Sequence, residues 1–572
     1  MYSADFRAWV SEVSGSGALS GKKTDMAVNV YTPGCHLLCH DDVIGSRRVS
    51  YILYLTNPDI PWKDSWGGAL RLYPTNMEKA EDGKELRIPH HEWNKTIPPA
   101  WNQLSFFTVQ PGHSFHDVEE VYKRAQRESE EDGGRVRMAI SGWFHIPQEG
   151  EEGFEPGLEE KLAERSSLQQ LQGKDDSLDL PQPKWLDIGG ETEGELAEEL
   201  TEKDLDFLLK FMTPHYLTPD TVDELSILFA DESSLQLANL LSKKFSERLR
   251  NQIAASDKDS QLTKDWQTAR PPHKHRYMFK QPKTSKGKKK PEGENALREL
   301  YDEFLPSHAF SKWLSLATGL TLGKSNILAR RFRRGLDYTL ATAHEEEDAQ
   351  LEWCLNLTPS KGWIADDDEE AQDGEAQSNG TNGVDKKKGK QPEVEDKGED
   401  NVGGYELYMA GDDPDDEDDD DAGSDHGVEI PAGASATGGG NRRVVKQKKA
   451  DPAIYKASMD EEDDGILFSN PAAWNTMSIV LRDQGTLKFV KYISKAAQGD
   501  RWDITGSVQV LDDGDDEVDG VDGGNAGEVE DEDEDEDEDE EDDGEDEDEE
   551  EEGEDEEDEG AGNEEEWNGF ED

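Results

Sequence analysis

The most constraining feature of this chain is the position of its acidic residues. Of 572 residues, 133 are Asp or Glu and 61 are Lys or Arg, which gives a formal net charge of −72. Residues 511–572 hold 41 of the acidic residues and no basic residue, so more than half of the net charge lies in one terminal stretch. A stretch of this kind repels itself and cannot bury a core, so we expect a disordered acidic tail at 511–572.

The composition also excludes several classes of protein. Strong negative charge disfavours direct nucleic-acid binding, because contact with phosphates needs a cationic face. No run approaches the ~18 apolar residues of a membrane span, and the N-terminus, MYSADFRAWV, lacks the pattern of a secretory signal. Three cysteines, Cys35, Cys39 and Cys354, are too few for a disulfide framework and lack metal-finger spacing. We therefore expect a soluble intracellular protein that binds no membrane.

Short strand-like segments dominate the first 147 residues. Turn residues such as Pro33-Gly34 and Gly67-Gly68 separate them. Many short strands with few helices are typical of a sandwich or a jelly roll. The predicted elements are a helix at 4–14 and strands at 26–31, 48–55, 69–73, 103–109 and 135–144.

The rest of the chain changes character several times. Residues 148–194 are interpreted as a linker, periodic leucines between 195 and 253 predict amphipathic helices, and residues 264–295 form a Pro/Lys-rich loop. Acidic low-complexity segments follow at 364–400 and 411–463, before strand character returns at 465–510.

Several sequence blocks of the first half recur in the same order in the second half. PPAWNQLSFF at 98–107 resembles PAAWNTMSIV at 471–480, with five of ten positions identical, and the Gly67-Gly68 block resembles one at Gly403-Gly404. Recurrence in a fixed order indicates a diverged tandem duplication. The second copy would span residues 296–510, with 364–400 and 411–463 as disordered insertions between strands.

The motif with the clearest chemistry is His40-Asp41-Asp42. On an extended strand, side chains two apart share a face, so His40 and Asp42 are expected to point the same way. A His-x-Asp pair with a distant histidine is the sequence pattern of the two-His-one-carboxylate site that binds Fe(II). The distant candidates are His116 and His113, and spacing alone does not choose between them.

Three segments carry a family resemblance. Residues 37–55 (LLCHDDVIGSRRVSYILYL), 114–121 (SFHDVEEV) and 137–147 (RMAISGWFHIP) resemble the Fe(II)- and 2-oxoglutarate-dependent prolyl 3-hydroxylases of the ribosomal decoding-centre protein. In fungi these enzymes are also described as termination-and-polyadenylation proteins. The resemblance is close over residues 1–147 and loose over 296–510.

The resemblance implies roles for five residues. His40, Asp42 and His116 bind the iron. Arg137 pairs with the distal carboxylate of 2-oxoglutarate, which suits a two-pronged guanidinium, and the Tyr54 hydroxyl assists it. An arginine two residues earlier is a rival by spacing, and the match to the Ile-Ser-Gly-Trp block favours Arg137. The implied co-substrate is O2, the expected reductant is ascorbate, and the implied substrate is a proline of a small-subunit ribosomal protein, hydroxylated at C3 and linked to translation termination.

The second copy lacks these ligands. Aligning its blocks with the first copy puts Ala341 and Ala343 at the first two ligand positions and Phe489 at the third, so it is expected to be non-catalytic. We therefore expect a mainly β fold with some α-helix, made of tandem double-stranded β-helix (jelly-roll) domains. In the catalytic copy at 1–147, the segment before the first core strand is shorter than it is in family members. Helices and the degenerate copy occupy residues 195–510.

A different class of function is the alternative. The chain would then be an acidic interaction or chaperone-like protein with an inactive oxygenase domain, and its tail would attract basic proteins in a salt-sensitive way. Residues 282–291, PKTSKGKKKP, are either a solvated loop or a nuclear import signal. We expect the protein in the nucleus and the cytoplasm.

Overall fold

The acidic insertions and the acidic tail lie outside the part of the chain that the structure describes, apart from residue 511. In the described part, no helix is long and apolar enough to cross a membrane. This structure is a computed structural model, and it describes residues 1–79, 83, 85–124, 132–163, 177–187, 199–257, 260–282, 295–346, 348–363, 402–410 and 465–511.

The described chain is mainly strand. The strands up to residue 147 are β1 (Thr24–Tyr31), β2 (Leu37–His40), β3 (Arg47–Tyr54), β4 (Leu70–Leu72), β5 (Thr75–Lys79), β6 (Glu85–Pro89), β7 (Lys95–Ile97), β8 (Leu104–Thr108), β9 (His116–Val118) and β10 (Arg137–His145). The later strands are β11 (Trp185–Leu186), β12 (Ser234–Ala238), β13 (Gln267–Thr268), β14 (His275–Arg276), β15 (Met278–Lys280), β16 (Leu322–Phe332), β17 (Tyr338–Thr339), β18 (Thr342–Ala343), β19 (Gln350–Leu357), β20 (Glu406–Met409), β21 (Ile466–Asn470), β22 (Trp474–Arg482), β23 (Leu487–Val490) and β24 (Arg501–Val510).

Helices are concentrated between residues 200 and 320. Short 3-10 turns lie at Asp64–Trp66, Gly133–Arg135, Pro214–Leu217 and Ser260–Thr263, and a π-helical turn at Leu300–Phe304. The α-helices are α1 (Ala4–Ser14), α2 (Leu158–Ala163), α3 (Glu202–Leu208), α4 (Pro219–Glu232), α5 (Lys243–Ser256), α6 (Ala296–Glu299) and α7 (His308–Thr318).

The first 147 residues fold into a jelly roll. One antiparallel sheet has the order β1-β10-β3-β8 and the other β2-β9-β4-β7. The chain alternates between the two sheets from β1 to β4 and again from β7 to β10, and β5 and β6 form a separate hairpin between these runs. The alternating sequence pattern of β3 and β10 gives each strand an apolar face, and Tyr54, Ile52 and Ala139 pack with Leu70 of the other sheet. The expectation of a mainly β, jelly-roll-type fold is confirmed.

Helix α1 begins and ends where its sequence indicates. The Ser3 side chain accepts a hydrogen bond from Phe6 N at the first turn, and Gly15 ends the helix with a left-handed φ of 65°. Val10 faces inward, and with Phe6 it covers the outer face of the first sheet. The helix therefore backs the sheet that carries β3 and β10.

The structure differs from the sequence-based expectation between residues 148 and 295. The expected linker contributes β11, which pairs with β16, and the expected helical region contains β12, which pairs with β22. The expected Pro/Lys-rich loop contains β13, β14 and β15. Each of these strands spans two to five residues. Strands this short show little periodicity, and the partners of β11 and β12 lie far along the chain.

A second pair of sheets follows. The larger sheet has the order β12-β22-β19-β24-β16-β15-β13, with β11 beside β16, and the smaller sheet has the order β18-β23-β20-β21. Helices α4 and α7 pack on the larger sheet, where Phe229, Trp313 and Trp353 belong to one buried apolar cluster. The run β16-β24-β19-β22 repeats the order of the first jelly roll.

The two halves belong to one compact unit, Met1–Gly514, and Cys39 N of β2 donates to the Tyr338 hydroxyl of the second half at 3.2 Å. The ring of His36 stacks on that of Tyr492 at 3.8 Å between centroids. Arg270 donates to both carboxylate oxygens of Glu78, at 2.6 and 2.9 Å. The second half is therefore packed directly against the strands that carry the candidate histidines.

Candidate metal centre

Two histidines and an aspartate meet at the end of β2. His40 is the last residue of β2 and pairs in register with His116, the first residue of β9. The Asp42 oxygens lie 3.3 Å from His40 Nε2 and 3.6 Å from His116 Nε2. The expectation that Asp42 continues an extended strand is wrong, because the strand ends at His40. A left-handed φ of 61° at Asp42 turns the chain and brings its carboxylate to the two rings.

Backbone carbonyls orient both imidazole rings. His40 Nδ1 lies 2.8 Å from the carbonyl oxygen of Leu38, and His116 Nδ1 lies 2.8 Å from that of Ser114. Because a carbonyl can only accept, each Nδ1 carries a hydrogen, so the neutral form of each ring has its lone pair on Nε2, the nitrogen on the side of Asp42. This is the tautomer in which a histidine binds a metal through Nε2.

Burial and charge set the protonation of the three side chains. Burial, with a smaller effect of the His40 charge, lowers the pKa of His116 to about 4, so its ring is neutral near pH 7. Burial raises the pKa of Asp42, but the hydrogen bond with His40 and the charges of both histidines outweigh this and hold it well below the usual range. Burial lowers the pKa of His40, and its hydrogen bond with Asp42 raises it by more. Trp143 Nε1 also donates to Asp42, at 3.1 Å.

This donor set suits Fe(II). Two imidazole nitrogens and one carboxylate oxygen, all within 4.8 Å of one another, match the two-His-one-carboxylate pattern. His113, the other sequence candidate, is exposed in the turn before β9 and lies outside this group. His116 is buried, with its ring edge-on to Phe107 at 4.7 Å between centroids.

A buried arginine and tyrosine lie in the same interior. Arg137 and Tyr54 are 2% and 0% exposed, and the guanidinium carbon lies 5.0 Å from the tyrosine ring centroid. Arg137 Nε donates to the Gly68 carbonyl at 2.7 Å, whereas Arg137 Nη2 and the Tyr54 hydroxyl have no hydrogen-bond partner among the described residues. Burial raises the pKa of Tyr54, and the Arg137 charge offsets part of this rise.

These unpaired groups fit a carboxylate ligand. A buried donor without a partner costs about 1–3 kcal/mol, and more if it is charged, so such a pair is expected to meet a ligand. Tyr54 belongs to an apolar cluster against which Phe107 packs, and Phe107 also contacts His116, so the pair and the metal group share one interior. A small diacid could bind a metal with one end and Arg137 with the other, and 2-oxoglutarate has this form.

Arg135, the alternative to Arg137 by sequence spacing, makes its hydrogen bonds with other groups. It lies before β10, with a φ of 51°, and Nε donates to Asp132 at 3.0 Å. Arg135 Nη1 donates to the carbonyls of Tyr122 and Lys123 at 2.9 and 3.2 Å. The two arginines therefore do not share a strand face, and the structure places Arg137 beside Tyr54.

Sequence reasoning assigned no role to Gly68, Trp143 and Phe107. A Cβ on Gly68 would lie 3.1 Å from Arg137 Cδ and 3.2 Å from Trp62, so glycine leaves the space in which the arginine chain runs. The Gly67-Gly68 pair was visible as a sequence block, and Trp143 stands in the matched Ile-Ser-Gly-Trp block. Phe107 gave no signal beyond strand composition.

Two family models match the chain. The model described as oxoglutarate and iron-dependent oxygenase degradation C-term matches residues 203–517, which is more than half of the chain. The model of the 2OG-Fe(II) oxygenase superfamily matches residues 26–145, which contain all five candidate site residues.

Curated relatives agree with these models. A protein of Ostreococcus tauri named prolyl 3,4-dihydroxylase OGFOD1 is 28% identical over 519 residues, which cover 88% of this chain and 81% of the relative. The mouse protein named prolyl 3-hydroxylase OGFOD1 is 39% identical over 143 residues, 25% of this chain and 22% of its own length. The Xenopus laevis protein of the same name is 37% identical over 141 residues, 25% of this chain and 23% of its own length. The chain therefore belongs to the Fe(II)- and 2-oxoglutarate-dependent oxygenase family in which these relatives are named prolyl hydroxylases, and this membership implies Fe(II), 2-oxoglutarate and O2.

Proposed function

We propose that this chain is a peptidyl-proline 3-hydroxylase that acts on a small-subunit ribosomal protein, with a link to translation termination. One observation carries the proposal: the metal-type group His40, Asp42 and His116 shares an interior with Arg137, whose Nη2 has no hydrogen-bond partner among the described residues. The names of the relatives support the choice of proline. The decoding-centre ribosomal protein follows from the resemblance of residues 1–147.

Each side chain has a distinct role. His40 and His116 hold Fe(II) through Nε2, and their Nδ1–H bonds to backbone carbonyls fix the ring planes. Asp42 supplies the anionic ligand, and Trp143 holds its second oxygen in place. The bound Fe(II) and 2-oxoglutarate together supply O2 activation for hydroxylating a C–H bond.

Arg137 and Tyr54 position the co-substrate. The guanidinium pairs with its distal carboxylate, and the Tyr54 hydroxyl donates to the same group, so both donors gain the partner that they lack within the described protein. Because both side chains are buried, the ion pair forms away from water and is stronger than it would be at the surface.

The test uses the purified full chain with Fe(II), 2-oxoglutarate and a proline-containing peptide of the ribosomal protein. We expect the peptide to gain the mass of one oxygen, with one succinate formed per event, and fragmentation with chemical standards to place the oxygen on C3. His40→Ala and His116→Ala should abolish the gain while keeping a cooperative melt, and His113→Ala should retain it. A wild-type protein that turns over 2-oxoglutarate but oxidises no peptide contradicts the proposed substrate. Added ascorbate is proposed to prolong turnover.

We also propose that the second half contains a degenerate copy of the jelly roll. The repeated strand order supports this proposal. Asn102 and Asn475, which align in the repeated Trp-Asn block, have left-handed φ values of 58° and 56°. A Cβ on Gly67 or on Gly403 would lie 2.0 or 1.9 Å from a carbonyl oxygen, so both blocks need glycine for the same close approach.

Strand register supports a different residue at the third ligand position. Leu72 pairs with His116 across β4 and β9, and its counterpart Tyr408 pairs with Lys488 across β20 and β23. Lys488 thus stands where His116 stands in the first copy, one residue before the Phe489 of the sequence alignment.

The first ligand position shifts in the same way. His40 pairs with His116, and Thr342 pairs with Lys488, so Thr342 takes the position that the sequence alignment gave to Ala341. The second ligand position then moves from Ala343 to His344, which lies beyond β18. A threonine and a lysine are poor metal ligands at neutral pH, so the inference of a non-catalytic copy is kept with different residues.

In the second copy, protein carboxylates already pair with the basic side chains of the interior. Lys488 Nζ lies 2.6 Å from Glu352 and 3.5 Å from Glu406. Arg501, the counterpart of Arg137, donates from Nε to Asp503 at 2.9 Å. Protein carboxylates therefore take the place of 2-oxoglutarate, and metal titration of the full chain should give one tight iron site that His116→Ala removes.

The remaining expectations are proposals for the whole chain. We propose that residues 511–572 attract basic proteins, that 148–194 joins a catalytic region at 1–147 to 195–510, and that the protein occurs in nucleus and cytoplasm. Binding to a basic protein such as histone should fall with added salt and disappear without residues 511–572. Imaging of the tagged chain with and without residues 282–291 tests the localisation.

A further inference from the structure

A cavity of about 320 Å³ lies beside the candidate metal centre. Its walls are residues 36–40 on one side and His273 and Leu340 of the second half on the other. His40 belongs to both the metal group and this wall, so the cavity adjoins the metal centre. Its volume is at the lower end of the ~300–1,000 Å³ range of ligand clefts.

The polar group that marks this cavity is His273. Its side chain is 2% exposed, and neither ring nitrogen has a hydrogen-bond partner among the described residues. Its ring stacks on Phe115, the neighbour of His116, at 4.7 Å between centroids. A buried polar side chain with two unmet hydrogen-bonding atoms at a cavity wall points to a ligand, because leaving it unpaired costs free energy.

The chemistry of the wall selects the ligand. Burial, with the nearby Lys274 charge, lowers the pKa of His273 to about 3, so the ring is neutral and offers one donor and one acceptor. The other wall residues are Leu37, Leu38 and Leu340 together with Cys39, His36 and His40, and none of the lining residues is an acid, a lysine or an arginine. An uncharged amide, flanked by apolar atoms, matches this surface, whereas a dianion such as 2-oxoglutarate does not.

The wall from the second half is fixed to β2. The Tyr338 hydroxyl donates to the Pro272 carbonyl at 2.5 Å and accepts from Cys39 N at 3.2 Å. Leu340 N donates to the Lys274 carbonyl at 2.9 Å. Because β2 is an edge strand of its sheet, its outer side faces this wall rather than another strand. The cavity is therefore a preformed gap between two tied segments.

We propose that this cavity is a substrate subsite that receives the uncharged polypeptide residue beside the target proline, and that His273 hydrogen-bonds the backbone amide of that residue. The inference rests on the proposed function and gives the second half a role in it, because that half completes the peptide site of the first. His273 determines specificity and does not touch the reacting atoms. An extended peptide beside the edge strand β2 would present such an amide at regular spacing.

The variants separate the hydrogen bonds from the packing. His273→Phe keeps an aromatic ring against Phe115 but removes both nitrogens, and His273→Asn restores a donor and an acceptor. Leu340→Trp fills the cavity from the same wall. His215→Phe is the matched control, since His215 is exposed and lies outside the cavity. Circular dichroism melts check that each variant folds.

Two readouts are measured in the full chain. The first is hydroxylation kinetics with a peptide spanning the target proline, together with succinate formed without peptide. The second is the Kd of a fluorescein-labelled copy of that peptide for the metal-free protein, which needs no turnover. We expect His273→Phe and Leu340→Trp to raise both the peptide KM and the Kd about tenfold. Succinate formation without peptide and the KM for 2-oxoglutarate should be unchanged, and His273→Asn should recover most of the affinity.

Peptides that are N-methylated at one flanking amide at a time locate the contact. One of them should bind the wild-type protein more weakly than the parent peptide, and His273→Phe should abolish that difference. An unchanged peptide KM and Kd in His273→Phe overturns the subsite. A wild-type protein that binds the peptide in a His273-dependent way but never oxidises it overturns the proposed substrate and supports the subsite. A wild-type protein that neither binds nor oxidises the peptide overturns both.

Discussion

The carboxylate of Glu120 accepts a hydrogen bond from the Ser494 hydroxyl at 2.5 Å, although 374 residues separate the two along the chain. Lys495 N donates to the same carboxylate at 2.7 Å. Glu120 is 0% exposed and lies four residues after His116. A buried charge of the first half is therefore satisfied by the second half, which ties the strand of the candidate iron ligand to that half.

Removing this carboxylate should destabilise the fold. Glu120→Ala leaves the Ser494 hydroxyl and the Lys495 amide without their acceptor, and we expect the free energy of unfolding to fall by about 2–4 kcal/mol. Glu92→Ala, at an exposed side chain, is the control and should change it by less than about 0.5 kcal/mol. Urea denaturation followed by tryptophan fluorescence measures both. An unchanged midpoint for Glu120→Ala contradicts the importance of this contact.

Replacing Arg137 by lysine should weaken the use of 2-oxoglutarate. A lysine keeps the charge but loses the two-pronged geometry, and the loss of a charge-assisted hydrogen bond of about 1.5–3 kcal/mol predicts a KM for 2-oxoglutarate roughly 10- to 100-fold higher. Succinate formation at varied 2-oxoglutarate measures this. The matched control is Arg135→Lys, whose parent side chain is also buried but binds Asp132, and whose KM should not change. If the KM for 2-oxoglutarate rises in Arg135→Lys and not in Arg137→Lys, Arg135 is the residue that binds 2-oxoglutarate.

Tyr54→Phe should affect the co-substrate without affecting the fold. The Tyr54 hydroxyl is buried and has no hydrogen-bond partner among the described residues, so its removal should leave the melting temperature unchanged or raise it slightly. If the hydroxyl donates to bound 2-oxoglutarate, the KM for 2-oxoglutarate rises about tenfold. Thermal melts without ligand and steady-state kinetics measure the two effects. A large drop in melting temperature would show that the hydroxyl has a structural role instead.

The stabilising effect of Glu352 should depend on pH. Burial raises the pKa of Glu352, but Lys488 and Arg482 lower it by more, to about 2. Because this is below the unfolded value of about 4.3, its stabilising contribution is complete above about pH 5 and declines as pH falls towards 2. Glu352→Gln should cost about 3 kcal/mol at pH 7, and the difference from wild type should shrink by about half at pH 3.

Urea denaturation between pH 7 and pH 3 tests this dependence. Glu346→Gln, at an exposed side chain, is the control and should track the wild-type protein at every pH. A difference between Glu352→Gln and the wild type that stays constant down to pH 3 contradicts the charge interaction with Lys488 and Arg482.

Local sequence patterns predicted part of the fold. The helix predicted at 4–14 and the strands predicted at 48–55 and 135–144 lie close to the observed α1, β3 and β10, and the Ser3 cap and Gly15 explain the two ends of α1. The short strands β11 and β12 were missed. Each depends on a partner more than 100 residues away, so its own residues carry no sufficient pattern.

The sequence by itself determined the chemical identity of the site: a His-x-Asp pair, a distant histidine and an arginine beside a matched Gly-Trp block. Only the tertiary structure decided how they meet, because the left-handed turn at Asp42 and the pairing of β2 with β9 are set by contacts across the fold. It also decided that His116 and Arg137 lie in the interior, while His113 stays exposed and Arg135 binds Asp132. The cavity at His273 belongs to the tertiary structure alone, since its walls come from segments more than 200 residues apart.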